Sequence, residues 1–264
     1  MKGVYVDLPE GEIHCRIEGE GEPLLLFHQA PMSGEEWAGV MPLLSHRYRV
    51  IAPDMIGHGN SADPEREYEV EDFAATTLRL MDALEIEHAV VCGNHSGGAL
   101  ATAIALAAPE RVRKLIVSCE MLISVEQIEA FLESLKDKPM SRDLPMDEEG
   151  RFLLEAWGRY TPLAPTANAE TRFLPFVLGQ MARLRPFDAH FAVMRWMAQE
   201  AWITQVNCPT LVVGAEHDFL YRQELMDGVA SRIPGGRAHT ITNAGALSTF
   251  ERPEAWAAAI RDFI

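Results

Sequence analysis

The residue best placed to do chemistry is His95, in the run Cys92-Gly93-Asn94-His95-Ser96-Gly97-Gly98. A strand-like apolar run, 89–92, ends just before it, and an Ala-, Leu- and Ile-rich run, 99–108, begins just after. His95 therefore stands at a strand-to-helix turn. The positive dipole end of a helix disfavours imidazolium, so a neutral ring is expected there, suited to act as general base or nucleophile. Ser96, next to it, is the alternative nucleophile, with His95 then the nearest base. One carboxylate, Glu120, is a candidate to orient the imidazole, since it follows the apolar run 115–118 expected beside the 89–92 strand. Asp218 is a second candidate catalytic carboxylate, with no partner His assigned to it. A carboxylate on one ring nitrogen fixes the tautomer and raises the basicity of the other. His28 and Gln29, at the end of the run 24–28, and His190 and Trp196, in a helical stretch, are candidate substrate contacts. His28, His95 and Asp218 contain metal-ligand atoms, but no ligand spacing supports a site. No metal ion or cofactor is expected.

The elements that must position these residues alternate. Runs 24–28, 50–52, 89–92, 115–118 and 211–213 are short and rich in Leu and β-branched residues, as strands buried on both faces are. Helical spacing of apolar residues covers 70–84, and the run 99–108 is apolar all round. Strands alternating with helices predict a mostly parallel sheet of about eight strands, an α/β fold. Near the start, Val4 and Val6, then Ile13, Cys15 and Ile17, alternate around Pro9-Glu10-Gly11, which predicts an antiparallel hairpin at the sheet edge. From 121 to 201 the alternation stops, and 125–136, 148–160, 171–184 and 188–202 read as helices. The division expected is a core of 1–120 and 202–264 with a helical cap, 121–201, inserted over the ligand-binding edge of the sheet.

The chain has 264 residues, 48% hydrophobic and 23% charged, with a formal net charge of -16. Such an excess of acid argues against nucleic acid or an anionic membrane as partner. It says little about the small-molecule substrate that is expected, because local pocket charge can differ from the total. A homodimer is compatible with the sequence. Residues 1–9 lack the basic and apolar regions of a secretory signal, and no apolar run reaches the ~20 residues of a membrane span. Cys15, Cys92, Cys119 and Cys208 show no CxxC spacing, so buried free thiols in the reducing cytoplasm are expected.

Five segments carry a family resemblance. Ile51-Ala52-Pro53-Asp54-Met55-Ile56-Gly57-His58-Gly59-Asn60-Ser61 resembles the D-x-x-G-x-G-x-S turn of α/β-hydrolases, and His28-Gln29-Ala30-Pro31 their H-G-x-P loop. Val90 to Ala99 resembles the nucleophile elbow. Val212-Val213-Gly214-Ala215-Glu216-His217-Asp218 resembles the acid loop. Gly245-Ala246, with Glu251-Arg252-Pro253-Glu254, resembles the C-terminal G-H…E-x-P-E segment. The segments run in family order and span the chain outside the helical block. The elbow pattern is small-x-nucleophile-x-small. Gly93 and Gly97 fit it and put His95 at the nucleophile position, and the spacing on to Pro109-Glu110-Arg111 agrees. Counting back from Glu251 puts Ala246 where the family has its catalytic His. Asp218 alone keeps its family identity.

The resemblance implies an oxyanion hole from the backbone N–H groups of Ala30 and Ser96, which depends on no side chain. Gln29 departs from the usual Gly. The first expectation is an enzyme acting on a small apolar carbonyl compound, with His95 as base or nucleophile. Ester or lactone hydrolysis, C–C cleavage, and lyase or decarboxylase reactions all suit that arrangement. The second is a receptor or carrier that kept the pocket and lost catalysis. The third is a serine hydrolase using Ser96.

Overall fold

The computed structural model describes residues 1–118, 125–134, 140–197, 205–219 and 223–264, apart from the side chains at 127 and 131. The eight strands are β1 (Lys2–Leu8), β2 (Gly11–Glu18), β3 (Glu22–Phe27), β4 (Tyr48–Pro53), β5 (Ala89–Gly93), β6 (Val112–Ser118), β7 (Thr210–Ala215) and β8 (Arg237–Ile241). They form one sheet in the order β1-β2-β4-β3-β5-β6-β7-β8. β1 pairs antiparallel with β2, and β2 antiparallel with β4, while the remaining pairs are parallel. The hairpin expected at the edge is therefore present, with Val4 opposite Cys15 and Val6 opposite Ile13.

The apolar runs are strands because both faces of the sheet are covered. Along β3, Leu25 and Phe27 enter one core cluster while Leu24 and Leu26 enter the other. In β5, Val91 faces the first cluster, and Val90 and Cys92 the second. That is the two-residue period of a strand with apolar layers on both sides. On the second face Trp37 meets Trp256 edge-on at 5.4 Å.

Helices of the core are α1 (Met41–Leu44), α2 (Val70–Ala83), α3 (Ser96–Ala107), α8 (Gln223–Ala230), α9 (Ser248–Glu251) and α10 (Pro253–Phe263). α2 starts on a capping box between Glu69 and Asp72 and buries Val70, Phe73, Ala74, Thr77, Leu80 and Met81. α3 is buried over nearly its whole length, which is why its sequence shows no polar stripe.

Between β6 and β7 lie α4 (Val125–Ser134), α5 (Arg151–Leu163), α6 (Ala169–Met181) and α7 (Ala189–Met197). No strand occurs in this stretch among the described residues. The boundaries expected from periodicity move for local reasons. α5 starts at Arg151 because Gly150 takes a left-handed φ of 72° and Asp147 accepts the N–H groups of Arg151 and Phe152. α6 starts one residue after Asn168, whose side chain caps Thr171 N–H at 2.8 Å.

The insertion is tied to the core by apolar packing, ion pairs and a backbone hydrogen bond. Tyr160 and Ala164 pack with Met32 and Leu247 in a small apolar cluster. Arg185 pairs with Asp63 and donates to the Gly59 carbonyl, and Arg195 pairs with Glu67 and Glu69. Leu163 carbonyl accepts the Ala246 N–H at 2.7 Å. The chain order leaves β3 for β4 on one side and returns to β5 on the other, so a crevice opens between the loops after β3 and β5. Ligands of open α/β sheets bind at such a switch point.

Candidate active site

His95 is the residue before α3 and has φ 47° and ψ -121°. A positive φ is rare in a residue with a side chain and costs on the order of 1–3 kcal/mol. Its two glycines make the turn possible. A Cβ on Gly93 would collide with the Gly97 carbonyl, and one on Gly97 with the Phe27 carbonyl. The backbone is pinned further by His95 N–H, which donates to Ser118 Oγ at 2.5 Å, and by Asn94 N–H, which donates to the Phe27 carbonyl at 3.1 Å. β6 thus supports the elbow through Ser118. Glu120, the expected neighbour, lies outside the described residues.

The imidazole points at the acid loop. His95 Nε2 lies 2.8 Å from Asp218 Oδ2, and both side chains are buried. An ionised carboxylate only accepts, so in this contact Nε2 carries the proton, and when the ring is neutral the lone pair lies on Nδ1. Sequence reading left Asp218 without a partner because it looked for one on the 246 loop, and the structure supplies the partner from the elbow instead. At Ala246, where the resemblance puts the catalytic His, there is only a methyl group. The supports of that loop persist: Gly245 N–H donates to Glu251 Oε2 at 2.7 Å, and Thr166 Oγ1 donates to Glu251 Oε1 at 2.5 Å.

The two expected hole donors differ in state. Ala30 N–H donates to Ser96 Oγ at 2.5 Å. The Ser96 hydroxyl therefore occupies the direction in which Ala30 would meet an oxyanion. Ser96 itself is 2% exposed. Its N–H lies at the start of α3, the helix end that favours negative charge.

Gln29 does not extend into open space. Its N–H donates to Glu36 Oε2 at 2.6 Å, and its amide nitrogen lies 3.4 Å from Glu36 Oε1 and 3.5 Å from the Ala246 carbonyl oxygen. Asn94 Nδ2 and Thr249 Oγ1 also donate to Glu36 Oε1, at 2.6 and 3.0 Å. Burial pushes the Glu36 carboxyl up to about 7, although the donors Asn94, Gln29 and Thr249 and the nearby His95 all pull it down. Sequence reading missed this residue. In Gly34-Glu35-Glu36-Trp37 two neighbouring acids look alike. The short 3-10 turn Gly34–Trp37 gives Glu35 to Arg16 and turns Glu36 inward beside Trp37.

His28 is fully buried. Its Nδ1 is 2.9 Å from the Gln29 carbonyl, and its Nε2 accepts Met55 N–H at 3.0 Å. That pattern requires a neutral ring, and burial, aided by His58, pushes its pKa down to about 3. His28 ties the oxyanion loop to the loop after β4. In that loop Asp54 accepts from Gly34 N–H, Asn60 N–H and Arg16, which makes it a turn-former as its motif implies. His190 Nδ1 lies 2.7 Å from Asp188 Oδ1. Trp196, 8% exposed, packs in the larger core cluster. Cys15 and Cys92 are buried free thiols, and Cys208 is free and half-buried. Cys119 lies outside the described residues.

A cavity of about 440 Å³ lies between the insertion and the core. It begins at Pro31, the residue after Ala30, and is lined by Met32, Ser33 and His58 from the core and by Leu178, Met181 and Phe187 from the insertion. Arg16, Arg142, Arg185 and Glu35 also reach it, so it is less apolar than the composition of the helical block suggests. No helix among the described residues is long and apolar enough to cross a membrane.

A strand-to-helix elbow at the switch point, facing an acid loop, defines the class. A family model described as the alpha/beta hydrolase fold matches residues 22–197, and the chain belongs to that family. Relatives that match it over nearly their whole length are named hydrolases. The chain is 40% identical over 268 residues to 2-hydroxy-6-oxo-2,4-heptadienoate hydrolase of Pseudomonas putida strain F1, covering 96% of this chain and 92% of that one. It is 30% identical over 261 residues to 2-hydroxymuconate semialdehyde hydrolase of Pseudomonas sp. strain CF600, covering 93% and 88%. Among solved structures, the enol-lactonase from Burkholderia xenovorans LB400 shares the fold with a TM-score of 0.73 at 23% identity, covering 98% of this chain and 99% of that one.

Proposed function

We propose that the protein is an enzyme that uses the His95–Asp218 pair as a general base on a small carbonyl compound. The observation that carries this reading is the 2.8 Å contact between His95 Nε2 and Asp218 Oδ2. Relative to the family arrangement, the imidazole stands one place along, on the elbow, and still meets the acid. In a hydrolysis, Nδ1 takes a proton from water as the water oxygen bonds to the carbonyl carbon. The carbonyl π electrons move onto oxygen, toward the Ser96 N–H and the start of α3. Collapse of the intermediate breaks the bond to the leaving group, which recovers the proton from the imidazolium. Asp218 stabilises that imidazolium without itself taking a proton. The same base would serve a proton abstraction that starts C–C cleavage or a lyase step.

The insertion, 121–201, acts in this reading as a cap, with the cavity beside Pro31 taking part of the substrate. Hydrolysis of an ester, a lactone or a C–C bond fits the names of the relatives. A serine nucleophile at Ser96 fits poorly, because its Oγ accepts from Ala30 N–H and lacks a base on the 246 loop. That same contact is what favours the second reading, a ligand carrier whose oxyanion position is already filled.

The test is turnover of 2-hydroxy-6-oxo-2,4-heptadienoate and of a panel of small esters and lactones by wild type and His95→Gln. The enzyme reading expects turnover by wild type and a loss of about 10²–10⁴-fold in the variant. Saturable binding without turnover by either protein would establish the carrier.

A further inference from the structure

Glu36 is a buried carboxyl for which the expected machinery has no use, and three segments of the site converge on it. The oxyanion loop contributes Gln29 N–H at 2.6 Å, the elbow contributes Asn94 Nδ2 at 2.6 Å, and α9 contributes Thr249 Oγ1 at 3.0 Å. Gln29 and Asn94 directly precede Ala30 and His95, and Thr249 lies three residues after Ala246. Every partner donates, which suits an anion, yet no cation pairs with the carboxylate among the described residues. The titratable groups that face it are few. On β5 there is Cys92, whose thiol is held well above its ordinary value by burial and by Glu36. At the elbow there is His95, with Asp218 beyond it. From the oxyanion loop and α9 come only the neutral Gln29 and Thr249. On its own turn, Glu35 faces away to Arg16.

We propose that Glu36 is a positioning residue for His95, one whose ionisation closes the hydrogen-bond cage around the elbow and whose protonation loosens it. This rests on the reading of His95 and Asp218 as the working pair. A neutral carboxyl must donate its proton. Asn94 Nδ2, Gln29 N and Gln29 Nε2 hold donors toward it, so only the Thr249 hydroxyl can turn from donor to acceptor without an amide flip. Protonation thus gives up a charge-assisted bond to Asn94, the residue that fixes where His95 begins, and removes a negative charge near the imidazole. Ionisation restores both. The elbow geometry and the electron density at the His95 ring then follow the charge on Glu36. Its burial near neutrality gives that switch a working range around pH 7.

The test needs no substrate, so it can fail while the catalytic reading stands, and the reverse. Protein labelled with ¹⁵N-histidine is titrated from pH 5 to about pH 9 while the His95 ring nitrogens are followed, assigned by their absence in His95→Gln. Infrared difference spectra follow the protonated-carboxyl band over the same range. In wild type the band should vanish around pH 7, and the His95 nitrogens should show a step at the same pH. Glu36→Gln should lose both the band and that step. Thr249→Val keeps the carboxyl and is nearly isosteric. It removes one donor to the anion, so band and step should both move to higher pH by about half a unit or more. A step in His95 that is the same in wild type and in either variant, or a band already gone at pH 5, overturns the proposal. A merely structural Glu36 would change stability and leave the His95 titration where it was.

Discussion

At the residue scale, the imidazole at 95 meets Asp218, a contact that the family resemblance would assign to a ring at 246. Two consequences separate a working pair from a packed one. Asp218→Asn keeps shape but presents an amide that can donate to Nε2, which moves the ring proton to Nδ1. Turnover should fall by about 10²–10⁴-fold, with the ¹⁵N signals of His95 reporting the opposite tautomer. Unchanged turnover and an unchanged tautomer would show the contact to be packing only. The place of His95 on a tight elbow was legible in the sequence because two glycines at fixed spacing have one steric purpose. Its partner was not, since a bond between residues 123 apart in the chain depends on how far a ring reaches across a loop that holds only Ala246. Glu36 was illegible for a related reason: a 3-10 turn of four residues decides which of two adjacent acids is buried.

At the element scale, the elbow is built from contacts that admit no Cβ. Gly97→Ala would push a methyl group into the Phe27 carbonyl at the end of β3. Since that neighbour is backbone in a strand paired on both sides, relief requires moving β3 or α3. We expect a loss of about 1–3 kcal/mol in a denaturant titration, with catalysis lost beyond what the remaining folded fraction explains. A near-silent substitution would mean that the turn is looser than described. The strands and core helices were legible because burial on both sheet faces leaves continuous apolar runs. The ends of α5 and α6 were not, because Asp147, Gly150 and Asn168 set them through single capping contacts that periodicity does not register. Glu120 remains an expectation from the position of β6, and the described end of that strand offers Ser118 to the elbow instead.

At the scale of the whole molecule, Glu36 couples the site to stability. Its folded value, pushed up to about 7, lies above the ordinary 4.5, so the folded chain holds a proton that the unfolded chain releases first. The stability tied to that proton is full below pH 4.5 and is lost as pH rises through about 7. The amount is about 3 kcal/mol for a group this deeply buried. Glu36→Gln should therefore gain on wild type as pH rises from 5 to 8, seen as a melting temperature difference that shifts in the variant's favour. Parallel pH profiles would place the charge of Glu36 elsewhere in the energetics. The carboxyl is thus expensive to keep ionised, which fits a group retained for the site rather than for the fold.

The proposed function puts an elbow base in the place that the family resemblance gives to a serine nucleophile. The most direct measurement is the intact mass of the protein after incubation with a fluorophosphonate, for wild type and for the double variant His95→Ser with Ala246→His. Wild type should gain no adduct, because Ser96 Oγ sits on Ala30 N–H with no base activating it. The double variant should gain one adduct at position 95, because Asp218, Gly245 and Glu251 still hold the triad's frame. A stoichiometric adduct on Ser96 in wild type would contradict the account and make this chain a serine hydrolase with a displaced nucleophile.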